Sequence, residues 1–352
     1  MADAMGQRKQ AVLRAVTDDY ISTAEPVGSR TIARKYGLGV SPATIRNEMA
    51  DLEEEGYLEQ PHASAGRIPS DKGYRFYVDS LMLEKPISKS EEVRIRKEYQ
   101  RRRDSIISLI RATARVLGEM SQYASVVIGP TVKGAEIRHI QLVPLSSDTV
   151  LVVVVTNSGL VEHRVLTIEH AMSLSDLDRI SWVLNNKLRG STLSDMRGRL
   201  LKEIQAEVSA YTSFLENMFE LLIGAMRTSD TEKVHVEGVM QLLAQPEFRE
   251  IEKARPVLEF LESDELVLRE LSASARASRG TEVTIGSEHA LEELRNCSIV
   301  SAPYGPGGQM VGAVAVIGPT RMDYAMATAL VGYMAEQLSE LLTRLDWYKS
   351  AE

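Results

Sequence analysis

The chain has 352 residues, of which 44% are hydrophobic and 26% charged, and its formal net charge at pH 7 is −8. This length and apolar content predict two or three buried cores. The single cysteine excludes an intrachain disulfide, and no apolar run has the length of a signal peptide or a membrane span, so we expect a cytoplasmic protein.

Two helices are predicted before residue 40, in an arrangement typical of the supporting part of a helix-turn-helix. Residues 7–23 carry apolar side chains on one stripe. Ser29 is predicted to cap a second helix over residues 30–36. The glycine-containing connection 37–40 has the length expected between a supporting helix and a recognition helix.

A third helix is predicted to begin at residue 42, and both of its ends are marked. The Ser41 side chain can accept a backbone N–H that lacks a partner at the helix start. Pro42 loses nothing at the first helical position, where its missing N–H is not needed. Gly56 supplies a stop, so the helix is expected to end close to that residue.

The two faces of this third helix differ. Ile45, Met49 and Leu52 recur at spacings of four and three, so they share a face that must be buried. The opposite face carries small residues and hydrogen-bond donors, as expected of a helix that reads a DNA groove. An ordinary surface helix fits the same pattern if the helix is considered alone. The donors of the opposite face are Thr44, Arg46 and Asn47.

A β-hairpin is predicted to follow, which completes a winged helix-turn-helix. Residues 56–59 and 68–69 are its expected strands, and residues 60–67 form a turn-rich tip with little that could build a core. Small residues let the tip backbone lie near a sugar-phosphate chain, and nearby cations suit phosphate. The candidate DNA contacts outside the third helix are Ser29, Arg30, Arg34, Ser41, Ser64, Gly66, Arg67, Lys72, Tyr74 and Arg75.

Aromatic residues after the hairpin allow a second interpretation. Core packing is the alternative for Tyr74, Phe76 and Tyr77, and we favour it for Phe76 and Tyr77. Ser70 is expected to cap another helix.

The charge of this segment is unusual for a DNA-binding domain. Its first 82 residues contain ten lysines and arginines against twelve aspartates and glutamates, a net charge of −2. DNA-binding domains are usually basic, because neutralisation of phosphates dominates their affinity. The acidic residues concentrate toward the far end of the third helix, while the cations lie on the second helix, at Arg46 and around the hairpin. We therefore expect a patchy surface with moderate non-specific affinity.

Residue patterns for catalysis or metal binding are missing from the sequence. The histidines are scattered without the spacing of metal ligands, and Cys297 is best interpreted as a buried thiol beside a strand. The glycine-rich stretch 305–308 lacks the Lys-Ser/Thr of a phosphate loop and is predicted to be a hairpin turn. We therefore expect no enzyme, no catalytic residue, no cofactor and no metal.

The rest of the chain alternates between α/β and helical stretches. Residues 84–90 are a predicted linker, and a helical stretch capped by Ser90 follows. The arginines at 101–103 are either near DNA or, as we favour, on a solvated helix face. Residues 200–226 carry a long apolar stripe that suits an intrachain core or a dimer interface. The strands are expected at 125–128, 137–143, 150–156, 161–168, 283–285, 298–302 and 310–317.

Two sets of motifs far apart in the chain resemble the heat-inducible transcription repressor HrcA family. The first set is GSRTIA, SPATIRNEMADLEEEGYLEQPHASAGRIP and KGYRFYVDSL, and the second is CSIVSAPYG at 297–305 and VIGPTRMDY at 316–324. Departures from the family pattern are minor: Ala63 and Ser70 stand where threonine-like residues are expected, and Glu55 follows two other glutamates.

The resemblance implies an α+β multidomain fold. It consists of a winged helix over residues 1–83, a linker at 84–90, a GAF-like α/β domain over 91–165 and 270–352, and an inserted, mostly helical dimerisation domain over 166–269. The last predicted helix, which carries Leu330, closes the GAF-like domain.

The same resemblance implies a function. The expected protein is a homodimeric repressor of heat-shock chaperone operons that binds an inverted-repeat operator in double-stranded DNA and is released on heat stress, with the GroE chaperonin as modulator. A ligand-responsive winged-helix regulator that uses the GAF-like domain as its sensor is the alternative.

Overall fold

The computed structural model of the chain describes residues 5–83, 85–101, 106–129, 137–156, 161–168, 172–191, 214–215, 218, 234–277, 280–306 and 310–344. These residues mix helices with sheets, which confirms the predicted α+β class. The chain forms two compact units. Unit 1 comprises Met1–Ile128, His235–Pro303 and Ala313–Glu336, and unit 2 comprises Gly129–Val234, Tyr304–Gly312 and Gln337–Glu352.

The start of unit 1 contains three helices, a short hairpin and a fourth helix, in the predicted order. They are α1 (Gln7–Thr23), α2 (Ser29–Lys35), α3 (Pro42–Glu54), β1 (Leu58–Glu59), β2 (Ile68–Pro69) and α4 (Asp71–Phe76). The two strands are antiparallel, with Leu58 opposite Pro69 and Glu59 opposite Ile68. A single turn of π-helix, Tyr77–Leu81, extends α4.

Short-range hydrogen bonds fix the ends of these helices. Ser41 caps α3 as predicted, since its Oγ accepts the Thr44 backbone N–H at 3.1 Å. Ser70 caps α4 in the same way through the Gly73 N–H. The predicted cap by Ser29 is wrong: Gly28 is the N-cap of α2, and Ser29 is already the first helical residue.

One apolar core holds α1, α2 and α3 together. Leu13, Ile32, Ile45 and Leu52 are completely buried in it, which confirms the predicted buried face of α3. Burying a leucine or isoleucine side chain contributes about 1.5–3 kcal/mol, so this small core is sufficient to hold the three helices in one arrangement.

The remaining elements of the chain are divided between the two units. They are α5 (Lys89–Gln100), α6 (Ile106–Ser121), β3 (Ala124–Ile128), β4 (Ile137–Pro144), β5 (Thr149–Thr156), β6 (Val161–Thr167), α7 (Leu174–Leu188), β7 (Val234–Glu237), α8 (Val239–Leu243), α9 (Ile251–Glu262), α10 (Asp264–Ala277), β8 (Glu282–Ile285), β9 (Cys297–Tyr304), β10 (Gly312–Pro319) and α11 (Tyr324–Arg344). Ser88, rather than the predicted Ser90, caps α5, and it forms a capping box with Glu91.

A five-stranded sheet with the order β7-β3-β10-β9-β8 is the centre of the larger domain of unit 1. β10 pairs antiparallel with β3, and β8 pairs antiparallel with β9. Strands from distant parts of the sequence therefore share one sheet, but of the four strands predicted between residues 125 and 168 only β3 belongs to it. β9 and β10 are neighbours in this sheet, as expected if residues 305–308 make a turn between them, although residues 307–309 lie outside the described residues.

Unit 2 has its own three-stranded antiparallel sheet, β4-β5-β6. Helix α7 packs on β4, and Val150, Val152 and Val154 of β5 are buried. The alternate residues of β5 are only half-buried, so the prediction that both of its faces are covered is wrong for the described residues. A continuous apolar run cannot by itself distinguish a strand covered on one face from one covered on both.

The observed units divide the chain at points other than the predicted domain boundaries. Residues 91–165 were expected in one GAF-like domain, but β4–β6 belong to unit 2. Residues 235–269 were expected in the insert, but they belong to unit 1. The reason is strand pairing, because β4–β6 pair with one another through short connections while β3 pairs with β10.

Most of the predicted long helix over residues 200–226 lies outside the described residues. Phe214, Leu215 and Met218 are described, and all three are buried in the core of unit 2.

Among the described residues no helix is both long and apolar enough to cross a membrane. The same residues contain no group of three or more histidine, cysteine or acidic side chains that could hold a metal ion.

His289 is a buried group in unit 1. Its Nδ1 lies 3.6 Å from Glu270 Oε1, too far for a hydrogen bond, and neither ring nitrogen has a hydrogen-bond partner in the described part of the chain. Burial lowers the pKa of His289 below its ordinary value of 6.5, and the nearby Glu270 and Glu288 carboxylates oppose this effect only in part.

Acidification is therefore expected to destabilise unit 1 through His289. The unfolded chain takes up this proton below pH 6.5, whereas the folded chain resists it, so the stabilisation is complete above 6.5 and decreases as the pH falls. Urea unfolding at about pH 7.5 and about pH 5.5 measures the effect. A His289→Gln variant should lose less stability between the two pH values than the parent, and an equal loss in both would contradict the assignment.

Candidate nucleic-acid interface

The outward face of α3 presents exposed polar side chains. Arg46 and Asn47 are exposed, on the side opposite the buried Ile45. In the described part of the chain neither side chain has a hydrogen-bond or ion-pair partner. Thr44 is half-buried, and its hydroxyl lies 2.9 Å from Ser41 Oγ. Arg46 and Asn47 are therefore available to a ligand, and Thr44 and Ser41 are partly engaged with each other.

Helix α2 adds two exposed cations. Arg30 and Arg34 are exposed and form no ion pair with any described residue. Ser29, at the first position of α2, is half-buried. Guanidinium groups at such positions suit phosphate oxygens.

The acidic far end of α3 is neutralised by cations from elsewhere in the same segment. Glu53 Oε2 accepts from Arg67 Nε at 2.8 Å, and Lys9 Nζ lies 2.6 Å from Glu55 and 3.2 Å from Asp51. The Glu55 hydrogen bond is the main cause that raises the pKa of Lys9. A further ion pair joins Glu48 to Arg8. The negative charge of this helix end therefore holds α1 and the hairpin to α3, and it is less repulsive to DNA than the sequence alone indicates.

The hairpin is tied to the segment before α2. Val27 and Arg67 exchange two backbone hydrogen bonds of 2.9 Å, and a Cβ atom on Gly66 would overlap the Val27 carbonyl. The tip is closed by Gln60, whose side chain donates to the Ala63 and Ala65 carbonyls. Sequence reasoning missed Val27 as a third strand-like partner, because an isolated bridge leaves no periodic pattern.

Two predicted phosphate contacts of the hairpin region already have intramolecular partners. Arg67 is largely covered and bonded to Glu53. Lys72 Nζ donates to the Glu55 carbonyl at 2.7 Å and lies 4.2 Å from the centre of the Tyr57 ring. Ser64 is exposed at the tip and Gly66 is half-buried. The tip backbone and Ser64 are thus the most accessible parts of the hairpin.

Two other predicted contacts face the interior of unit 1. Tyr74 is only 2% exposed, packs against Tyr324, and burial raises the pKa of its hydroxyl. Arg75 is bonded to Glu288 and to the Val283 carbonyl. In this arrangement both side chains are engaged within unit 1, because α4 packs against β8, so we do not carry Tyr74 and Arg75 forward as DNA contacts. The predicted core packing of Tyr77 is confirmed, since it is 6% exposed and bonds Asp18.

Comparison with known proteins identifies relatives along almost the whole length of the chain. A family model described as the HrcA protein C terminal domain matches residues 108–327. The heat-inducible transcription repressor HrcA of Pelotomaculum thermopropionicum is 44% identical over 341 residues, which cover 97% of this chain and 98% of the relative. The protein of the same name from Brevibacillus brevis is 38% identical over 339 residues, 96% of this chain and 98% of that relative.

A solved structure shares the fold. The crystal structure of a hypothetical protein, 23% identical to this chain, superimposes with a TM-score of 0.61 and covers 97% of this chain and 99% of its own.

Proposed function

The chain belongs to the HrcA family of heat-inducible transcription repressors, and from this premise we propose that α1–α3 and the β1–β2 hairpin form a winged helix that places α3 in the major groove of an operator. The family makes the chain a transcriptional repressor of the heat-shock response. What carries the proposal is the pair of exposed side chains of Arg46 and Asn47, which bond no described residue and stand on a capped helix with a buried opposite face.

The roles of the individual side chains follow from their chemistry. Asn47 suits adenine, which offers a donor and an acceptor in the major groove, and Arg46 suits the two acceptors of guanine. Thr44 is suited to a thymine methyl group or a base edge. The residues proposed to contact backbone phosphates are Ser29, Arg30, Arg34, Ser41, Ser64, the Gly66 backbone, Arg67 and Lys72. The Arg67 guanidinium also bonds Glu53, and the Lys72 ammonium also bonds the Glu55 carbonyl.

We further propose that the repressor acts as a homodimer on an inverted repeat. A two-fold operator requires two-fold symmetry in the protein, because each α3 reads one half-site. Heat stress would release the dimer from chaperone operons, and the GroE chaperonin would modulate the fraction that can bind DNA. Adding chaperonin to purified protein and titrating its DNA-binding fraction tests this last step, and an unchanged fraction contradicts it.

One experiment tests the proposed function as a whole. Purified protein is mixed with genomic fragments, and the retained DNA is sequenced. We expect a short inverted repeat upstream of chaperone genes. Retention without any shared sequence would contradict the major-groove reading.

Removal of a phosphate contact should lower affinity equally for all sequences. Arg30→Ala and Arg34→Ala are each expected to reduce the slope of log K against log salt by about 1, since each neutralised phosphate contributes about 0.9 to that slope. Operator and random duplexes should weaken alike. Arg179→Ala, which removes an exposed arginine of α7 in unit 2, is the matched control and should leave the slope unchanged. A preserved slope in both α2 variants would remove them from the interface.

A ligand-responsive regulator is a second candidate, favoured by one observation. An open pocket of about 370 Å³ in unit 2 is lined by two arginines, a histidine, two asparagines and a tryptophan whose surface is 64% exposed. The lining residues are Arg138, His139, Trp182, Asn185, Asn186 and Arg189. A thermal-shift screen of anionic metabolites tests this candidate, and the absence of any stabilising compound would count against it.

A further inference from the structure

Arg75, at the end of α4, bonds a turn that lies more than two hundred residues further along the chain. Its Nε donates to Glu288 Oε1 at 2.7 Å, its Nη2 also bonds the second oxygen of Glu288, and Nη2 donates to the Val283 carbonyl at 2.5 Å. Burial raises the pKa of Glu288, but the hydrogen bonds from Arg75 and from the Ile285 N–H lower it more, so the carboxylate is charged. This is the two-pronged geometry that arginine forms with a carboxylate.

Asp71, one helical turn before Arg75 on α4, contacts the same residues of the chain. Its Oδ2 accepts the Ser287 backbone N–H at 2.8 Å. Gly286 has a φ of +49°, and a Cβ atom there would overlap the Asp71 carboxylate. Residues four apart on a helix share a face, so Asp71 and Arg75 can both bond the turn at 286–288. We name this set of contacts the α4 clamp.

The α4 clamp is connected directly to the end of α3. Ser70, the cap of α4, donates its hydroxyl proton to the Gly56 carbonyl at 2.6 Å, and Lys72 of α4 donates to the Glu55 carbonyl at 2.7 Å. Both carbonyls lie immediately after α3. A displacement of α4 relative to the five-stranded sheet is therefore passed to the helix that we assign to base reading.

A second tie joins α1 to the domain that carries the five-stranded sheet. Arg321, only 9% exposed, donates to the Ile21 carbonyl at 2.9 Å and to Gln245 Oε1 at 3.1 Å, and it forms an ion pair with Glu247. With this tie at α1 and the α4 clamp on the other side, the helices of the N-terminal segment have one defined orientation on that domain.

We propose that Arg75 and Glu288 are positioning residues that fix the separation of the two recognition helices in the dimer, and so select the spacing between operator half-sites. This rests on the proposed winged-helix function and on the proposed dimer. A dimer that reads two half-sites tolerates only the spacing that its protein geometry matches. Neither residue touches DNA in this proposal; each acts through α4 on α3.

The clamp suits this role better than a purely structural one. The Arg75 and Glu288 side chains keep 31% and 34% of their surface exposed, so water screens part of their attraction, and α1–α3 have an apolar core of their own that does not include either residue. Breaking the pair should therefore leave α1–α3 folded on their own core while it loosens their orientation. Asp79 also pairs with Arg75, but it lies on the π-helical turn that extends α4 and is 55% exposed, so it offers a matched control.

Charge exchange across the clamp provides the test. The full-length variants Arg75→Glu, Glu288→Arg and the double exchange are measured on two kinds of duplex: a single half-site, and paired half-sites separated by a series of spacers. Each single variant is expected to bind the optimal pair about tenfold more weakly and to lose preference among spacers, while its half-site affinity changes less than about twofold. The double exchange should restore the preference, and Asp79→Asn should never lose it.

The results distinguish a failure of this proposal from a failure of the proposed function. An unchanged spacing preference in both single variants, or no recovery in the double exchange, overturns the proposal. Weaker half-site binding by Arg75→Glu but not by Glu288→Arg overturns it in favour of direct DNA contact by Arg75. If the parent protein binds neither the paired half-sites nor the single half-site, the proposed function fails instead. Should Arg75→Glu not fold, Glu288→Gln keeps a neutral acceptor and carries the same expectation for spacing.

Discussion

Asn47→Ala is expected to remove most of the operator discrimination at one base pair of each half-site. A side-chain amide that donates and accepts with one adenine contributes about 1–3 kcal/mol of discrimination, which corresponds to about 5- to 150-fold. The structure leaves this amide exposed and without a described partner, so no intramolecular bond has to be broken before it binds. Non-specific affinity should change little, because the substitution removes no charge.

A competition gel shift measures this effect. Labelled operator is displaced by unlabelled duplexes that differ at one base pair, and the ranking of competitors is compared between the parent and the variant. Glu54→Gln is a suitable control, since Glu54 is exposed near the far end of the same helix. Unchanged ranking in Asn47→Ala would mean that the outward face of α3 does not read bases.

Local features of the N-terminal segment were predictable because their causes lie within a few residues. The Ser41 and Ser70 caps each bond an N–H three residues ahead, and the buried face of α3 follows from a 3.6-residue period. Ser29 shows the limit of this reasoning. A serine after a glycine fits both the N-cap and the first helical position, and only the backbone angle of Gly28 decides between them.

Long-range partners were not predictable. Arg75 and Glu288 are 213 residues apart, and a basic residue after a hairpin fits phosphate as well as it fits a carboxylate. Tyr74 has the same ambiguity, since the apolar ring of a tyrosine suits a core and its hydroxyl suits a phosphate. The division of strands between two sheets was hidden for a related reason: periodicity identifies β3 and β4 as strands but does not say which partners they choose.

Gly73→Ala is expected to have the largest effect on stability in the N-terminal segment. Gly73 is buried in the first turns of α4, and a Cβ atom there would overlap the Tyr57 carbonyl oxygen. That oxygen also accepts the Ser70 backbone N–H at 3.1 Å, so neither backbone can move aside without breaking the junction between hairpin and α4. Overpacking typically costs about 1–3 kcal/mol, and we expect the upper end of this range because the contacting atom is backbone.

Urea unfolding followed by circular dichroism measures this loss, with Gly280→Ala as the control. A Cβ atom on Gly280 meets no atom within 4 Å, so that variant should stay within about 0.5 kcal/mol of the parent. Equal stability of Gly73→Ala and the parent would show that the junction is looser than its contacts indicate.

The DNA-binding phenotype of Gly73→Ala should also differ from that of the clamp variants. Ser70 and Lys72 lie just before Gly73 and bond the carbonyls at the end of α3, so the collision disturbs α3 itself as well as its orientation on the five-stranded sheet. Half-site binding is then expected to fall together with binding to the full operator, whereas Glu288→Arg should spare the half-site. If Gly73→Ala loses half-site binding and Glu288→Arg keeps it, the first variant has damaged α3 itself and the second has changed only its orientation. The two effects can differ because the two substitutions act on opposite sides of α4.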